Sequence, residues 1–368
     1  MSNHRWAKVA AGVAAGAILT TTVLSVGVIT ALDELEDNIT VLDVSETTGE
    51  IISAHDSIVT DRTTGATAPF NVLLMGSDTR EGKANQGYGN FSGARSDTTI
   101  LLHVSADRSN AVAVSIPRDT TIDLPTCKNS SGKEISGGVG KFNAAMARGG
   151  PGCTLKAVTE MTGIAVNNFV VVDFGGFKAI TKAVGGVEVC LSEAVNDPDS
   201  GLKLSAGSHT ISGEDALSFV RARKTLANGS DTSRIRRQQA FLGSMVKQML
   251  SSGVLLNPAA LYEVLSAGTK SLTTDPQLAN ISNLRELAFS MVDLKPENFT
   301  FTTIPWTPSA NRANVVVNQE KAAPLIEAIK NDTPWPPSNT PNQSLLVNEA
   351  IKDKSADLNS AAETYCAS

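Results

Sequence analysis

Four stretches of this chain, NVLLMGSD (71–78), TTILLHVS (98–105), AVAVSIP (111–117) and NNFVVVDF (167–174), are apolar at odd and even positions alike. Side chains alternate sides along a strand, so such segments need cover on both faces of their sheet. Helical patterns supply it. KFNAAMARGGPGCTLKAVTEMTG reads as helix, glycine-rich break and helix, and GGFKAITKAVGG as a short helix closed by glycines. SGEDALSFV opens with Ser212 and Asp215 at capping-box positions. The strongest helix is predicted over 231–250, with Ile235, Leu242, Met245, Val246 and Met249 on one stripe. Arg234 and Gln238, four apart, share another face near its N-terminal end, where backbone N–H groups favour an anion. Further helices are expected over 257–272 and 275–292, and a strand over 299–304. A polar turn at 106–110 joins two strands as a hairpin, which breaks a purely parallel order. The predicted class is α/β: a three-layer α/β/α sandwich around a mixed central sheet.

Residues 7–32 carry one charge, Lys8, at their start. A helix of ~20 apolar residues spans a bilayer, so this run predicts a single transmembrane anchor. Arg5 and Lys8 precede the apolar stretch, and Asp33, Glu34, Glu36 and Asp37 follow it. The basic flank belongs in the cytoplasm, which leaves 1–6 as a cytoplasmic tail and the rest of the chain extracytoplasmic at the cell membrane. A cleaved signal peptide is the rival reading; the length of the run and the lack of an A-x-A site favour the anchor. Residues 33–68, polar and Thr-rich, read as a stalk with a short helix near 41–44. Residues 69–331 form the expected catalytic domain, and 332–368 a Pro/Asn-rich tail. All four cysteines, Cys127, Cys153, Cys190 and Cys366, follow the span, and none forms a CxxC pair. That spacing suits disulfides in an oxidising compartment better than zinc. Four cysteines permit three pairings. Cys127–Cys153 would staple a Gly- and Ser-rich insert, leaving Cys190 with Cys366, while buried free thiols are the alternative.

The net charge of −6 argues against the broad basic surface of a nucleic-acid binder. The chain has no GxSxG, HExxH or GxxxxGK[ST], and its four histidines (His4, His55, His103, His209) stand in no catalytic company. Arginines stand out instead. Arg221, Arg223, Arg234, Arg236 and Arg237 fall within seventeen residues, and GARSDTTILL and AVSIPRDTT each join an arginine to an aspartate (Arg95 and Asp97, Arg118 and Asp119). Asp78 ends a strand, at the sheet edge where α/β proteins bind ligands. Guanidinium groups converging beside carboxylates suit a pyrophosphate held with a divalent metal. Plainer readings compete: Asp78 as a turn cap, Arg118–Asp119 or Arg95–Asp97 as surface ion pairs, and Arg236 and Arg237 as a helix's solvated face.

NVLLMGSDTR, GARSDTTILL, SIPRDT, KFNAAMARGGP, VVVDFGGF, VGGVEVC, ISGEDALSFVRAR and SDTSRIRRQQ occur here in the order that resembles the LytR–CpsA–Psr family of cell-wall enzymes, across roughly 69–250. The cysteines and the VRAR…DTSRIRRQQ form resemble actinobacterial members. Resemblance implies a Mg²⁺-dependent phosphotransferase (Mn²⁺ as substitute) that moves a glycan-1-phosphate from a polyprenyl-pyrophosphate carrier to a peptidoglycan hydroxyl, the muramic acid 6-OH. Arabinogalactan–peptidoglycan or teichoic acid ligation is the implied setting. Carried over by position, Asp78 and Asp97 match the metal-associated aspartates. Arg95, Arg118, Arg221, Arg223 and Arg234 match the pyrophosphate-contacting arginines, and Gln238 the glutamine beside them. The implied catalytic set is Arg95, Asp97, Arg118, Arg221 and Arg234. Two positions depart from the pattern: no acidic residue follows Arg223, and Ser233 precedes Arg234. A pyrophosphatase and a non-catalytic polyprenyl-phosphate-binding regulator of wall assembly would use the same arginines. The lipid tail needs an apolar slot, and Phe142, Met146, Leu155, Val158, Phe169, Val171 and Phe177 serve either that slot or the core.

Overall fold

The structure, a computed structural model, describes residues 35–48, 68–77, 96–129, 131–166, 168–191, 193–222, 231–251, 254, 257–310 and 314–336. The expected membrane span 7–32 and residues 337–368 of the tail lie outside them. Among the described residues, no helix is long and apolar enough to cross a membrane.

A seven-stranded mixed sheet organises the chain. In chain order its strands are β1 (Thr40–Val41), β2 (Phe70–Ser77), β3 (Ser96–Val104), β4 (Ala111–Ile116), β5 (Asn168–Val172), β6 (Leu272–Thr274) and β7 (Phe299–Thr303). In space the order is β1-β6-β5-β2-β3-β4-β7. β2 runs antiparallel to β3 and β3 to β4, whereas β5 is parallel to β2 and β7 to β4. The carboxyl ends of β2, β4, β5 and β7 and the start of β3 therefore meet along one edge. That is where a layered α/β sheet holds its ligands.

Besides one turn of helix at Ser45–Thr48, just past the short helix expected near 41–44, the longer helices among the described residues are α1 (Ala144–Thr162), α2 (Phe174–Ala183), α3 (Gly213–Arg221), α4 (Asp231–Ser251), α5 (Pro258–Thr269), α6 (Ile281–Ser290) and α7 (Gln319–Lys330). Alternation along the strands assigns the two faces. Leu73, Met75, Leu101, Val112, Val114, Phe169 and Val171 pack with Phe142, Met146, Leu155 and Val158 at α1 and Leu325 and Ile329 of α7. Their neighbours Val72, Ile100, Ala111 and Ala113 face the other way, against Leu242 and Val246 of α4 and Leu284 and Leu287 of α6. Helices thus cover both faces, as the two-sided strands require. A third cluster joins the strand pair Val187–Leu191/Gly207–Ile211 to α2, α3, α4 and α5 through Phe177, Phe219, Phe241 and Val264.

The break inside α1 falls at Gly149 and Gly150, which leave helical geometry just before Pro151. A Cβ on Gly149 would lie 2.8 Å from both Cys153 Cβ and the Lys128 carbonyl, so only glycine lets the chain pass this close. Cys127 and Cys153 form the disulfide that pins this kink to the small hairpin Cys127–Lys128/Glu134–Ile135. Cys190 is also disulfide-bonded, and Cys366 lies outside the described residues.

Three expectations change. The stretch 33–68 is not all stalk, because Leu35, Ile39 and Val44 are buried and β1 extends the sheet beside β6. The helix expected over 257–272 stops at Thr269, and Leu272, the last residue of that span, begins strand β6. Ser212 occupies the N-cap of α3 without a side-chain cap bond. Instead Thr181 Oγ1 accepts from the Gly213 N–H at 2.9 Å, and Gly213 takes φ +57° to allow it.

Candidate functional site

A cavity of about 570 Å³ opens at the strand-end edge. Its apolar wall comes from Leu74 of β2, Ile100 of β3, Val172 of β5, Phe177 and Ile180 of α2, Leu217 and Val220 of α3, and Leu242 and Met245 of α4. Asp97, Thr98, Asp173, Asp199, Ser200, Arg221, Arg234 and Gln238 supply its polar side. The site thus combines an apolar chamber with a polar, arginine-bearing rim.

Each rim residue is set by its element. Asp97 is the second residue of β3, at the sheet edge. Thr98 Oγ1 donates to Gln238 Oε1 at 3.2 Å, and Gln238 Nε2 donates to the Val220 carbonyl at 3.3 Å, tying α4 to both β3 and α3. One residue on, Gln239 donates to Ser115 Oγ, the Thr302 carbonyl and Thr303 Oγ1 at 2.9, 2.8 and 3.1 Å, fastening α4 across the ends of β4 and β7. Arg221 ends α3, and its guanidinium lies 4.9 Å above the Phe174 ring, a cation–π contact that holds the charge at the rim. Arg234, in the first turn of α4, is buried. Placing it there requires α4 to begin beside the sheet edge.

Arg118 follows β4, where Pro117 ends the ladder. Its Nη1 donates to Asp97 Oδ1 at 2.6 Å, and its Nε to Asp119 Oδ2 at 3.4 Å. Arg118 also meets Gln238 and Asp97 around a small recess beside the main cavity. Of the ion pairs weighed from the sequence, Arg118–Asp119 forms, but Asp97 joins it from another strand, so the cluster is no isolated surface contact. Burial acts to raise the Asp119 pKa; the Lys141 hydrogen bond and the Arg118 charge outweigh it and hold the carboxyl below its usual range.

Asp97, Arg118, Arg221, Arg234 and Gln238 are therefore gathered at one edge, whereas Asp78, Arg95 and Arg223 lie outside the described residues. One sequence expectation fails. Arg236 is exposed, but Arg237 is not on a solvated face: it is 1% exposed. Its guanidinium donates to the Phe219 carbonyl at 3.1 Å and to the Ala222 carbonyl, closing the end of α3. Burial, then the nearby Arg234 charge, lower its pKa to about 10 against the opposing effect of Asp197, so it stays charged at neutral pH. Phe142, Met146, Leu155, Val158, Phe169 and Val171 pack on the opposite face of the sheet, and only Phe177 of that group lines the cavity. The reason is strand alternation: Val172, next to Val171, points the other way.

Phe174, Asp173, Asp199 and Ser200 line the cavity without having been singled out. Phe174 was reachable, since it follows the strand-end Asp173, whose side chain caps α2 by accepting from the Gly176 N–H at 2.7 Å. Asp199 and Ser200 had no local signal; the fold carries their turn to the rim.

The site and sheet define a layered α/β protein with an apolar chamber and an arginine-bearing rim at its strand-end edge. The LytR_cpsA_psr family matches residues 39–332, and this chain belongs to that family. It is similar to the "Cell wall biosynthesis protein LcpA" of Corynebacterium glutamicum, 36% identical over 310 residues, covering 74% of this chain and 58% of that protein. It is also similar to the "Polyisoprenyl-teichoic acid--peptidoglycan teichoic acid transferase TagU" of Enterococcus faecalis, 34% identical, covering 56% of this chain and 61% of that protein. The chain thus spans less than two thirds of either relative's length. Among solved structures, protein gbs0355 from Streptococcus agalactiae superposes with a TM-score of 0.59 at 25% identity, over 72% of this chain and 88% of that one.

Proposed function

We propose that this protein is an extracytoplasmic phosphotransferase that moves a glycan-1-phosphate from a polyprenyl-pyrophosphate carrier to a peptidoglycan hydroxyl. The observation that carries the reading is the pairing of an apolar chamber of about 570 Å³ with Asp97, Arg221, Arg234 and Gln238 on its rim and Arg118 beside them. An isoprenoid chain fits the apolar part, and a pyrophosphate matches the guanidinium groups. The transferase name of the Enterococcus faecalis relative points the same way. In the reaction, a hydroxyl oxygen attacks the phosphorus that bears the sugar, the bridging P–O bond breaks, and polyprenyl phosphate departs with the hydroxyl proton. Arg118, Arg221 and Arg234 neutralise and orient the phosphates, while the apolar wall excludes water from the chain.

A divalent cation fits this donor set. Among the described residues, no three His, Cys, Asp or Glu side chains cluster as a self-sufficient metal cage. Mg²⁺, however, typically takes one or two protein carboxylates and completes its shell with phosphate oxygens and water. Asp97, with a side chain 39% exposed at the edge, would supply one, and Asp78 is assigned the second by resemblance. When bound, the ion neutralises charge on the pyrophosphate oxygens.

The test uses the full chain in detergent, a prenyl-pyrophosphate-linked sugar, and peptidoglycan fragments with and without a free muramic acid 6-OH. The reading expects acceptor-dependent release of prenyl phosphate. Arg118→Ala and Arg221→Ala should each lower it by on the order of 10³–10⁵. Near-full activity in both variants would remove the arginines from the mechanism. Release without acceptor would instead identify a pyrophosphatase.

A further inference from the structure

Arg118 belongs to a row of four alternating charges. Lys141 Nζ donates to Asp119 Oδ1 at 2.7 Å, Asp119 Oδ2 receives Arg118 Nε at 3.4 Å, and Arg118 Nη1 donates to Asp97 Oδ1 at 2.6 Å. A guanidinium set between two carboxylates would have its charge more than cancelled and would attract a phosphate weakly. Lys141 changes that balance, because its ammonium occupies the other oxygen of Asp119. The row is then neutral overall, and the negative charge of Asp119 is spent on both neighbours.

The backbone builds this arrangement in. Lys141 ends a short strand, Gly138–Lys141, and pairs with Thr121 of the facing strand. The next two residues grip the loop that carries Arg118: Phe142 N–H donates to the Thr120 carbonyl at 2.8 Å, and Asn143 N–H to the Arg118 carbonyl at 3.1 Å. Thr120 Oγ1 donates to the Pro117 carbonyl at 2.6 Å, completing the turn. The Arg118 and Asp119 side chains are 22% and 26% exposed, so water screens the row only in part.

We propose that Asp119 and Lys141 are positioning residues of the anion site: Asp119 orients the Arg118 guanidinium through Nε, and Lys141 cancels the Asp119 charge so that Arg118 stays electropositive toward a bound pyrophosphate. The proposal rests on the pyrophosphate reading above. It requires Lys141 to act through charge, not through shape.

The experiment measures binding of geranylgeranyl pyrophosphate to the full chain in detergent by calorimetry, with a melting curve for each variant. Lys141 has a half-exposed side chain, so its variants should keep the fold. Lys141→Met should weaken binding by about tenfold. Lys141→Gln, which retains a hydrogen-bond donor but no charge, should weaken it as much, and Lys141→Arg should stay near wild type. Adding Asp119→Asn to Lys141→Met should recover part of the loss, since the uncompensated carboxylate is gone. Wild-type affinity in Lys141→Met or Lys141→Gln would overturn the proposal, as would a double variant weaker than Lys141→Met alone. No binding by the wild-type chain would overturn the pyrophosphate reading and this proposal with it.

Discussion

Arg237 offers the sharpest test of how the site is held. Replacing it with methionine keeps most of the stem volume and removes the guanidinium. The carbonyls of Phe219 and Ala222 then lose their buried donor. Leaving a buried acceptor unsatisfied costs about 1–3 kcal/mol, so two give roughly 2–6 kcal/mol. Water offers little relief where the residue it would replace is 1% exposed. In a domain of this size, 1 kcal/mol moves Tm by about 2–4 °C, so Arg237→Met should melt roughly 5–20 °C below wild type. Arg237→Lys, with a compact ammonium that cannot fork to both carbonyls, should fall between the two. Phe219 and Ala222 flank the Arg221 end of α3, so Arg237→Met should also weaken geranylgeranyl pyrophosphate binding at temperatures where it remains folded. Differential scanning calorimetry supplies the first measurement and titration calorimetry the second. A melting temperature within about 1 °C of wild type would refute the assignment of Arg237 as the clamp on α3.

Removing the Cys127–Cys153 bridge by paired serine substitution should cost about 3.5 kcal/mol from loop entropy, given the separation of 26 residues; urea denaturation with and without reductant checks this. His103 is buried between Asn71 Oδ1 at 2.9 Å and Asp332 Oδ1 at 3.1 Å, and desolvation lowers its pKa from 6.5 despite Asp332. The unfolded chain therefore binds that proton more readily. The contribution is complete above about pH 6.5 and is lost as pH falls toward the lowered value, at no more than about 1.4 kcal/mol per pH unit. Melting curves across that range should show the slope, and His103→Gln should flatten it. Ile180→Trp, filling the cavity from α2, should abolish geranylgeranyl pyrophosphate binding while inorganic pyrophosphate still binds; unchanged lipid binding would place the chain elsewhere.

The two-sided apolar strands and their intervening helical patterns were legible as a layered α/β fold, because burial on both faces leaves a period-two signature that survives in one dimension. The clustering of arginines near α3 and α4 was equally visible, and Arg234 and Gln238, one turn apart, were expected to share a face. Asp97 and Arg118 were legible as residues at strand ends, but their 2.6 Å contact was not, since it depends on the antiparallel register of β3 and β4. Nor did the chain reveal which apolar residues form the chamber. Phe169 and Val172 look alike in sequence, and only the assignment of faces sends one to the core and the other to the cavity. Arg237 shows the same limit more sharply. Its neighbour Arg236 meets solvent, while Arg237 turns inward to the end of α3.

What the sequence determined alone was local: which segments extend, which coil, and which residue types are available for an anion. Tertiary structure decided the partners. Whether a charged side chain is solvated, buried as a clamp or aimed at a ligand depends on what the sheet edge and the crossing helices bring within about 3 Å of it, the range of a hydrogen bond. Strand order and helix crossing set that distance.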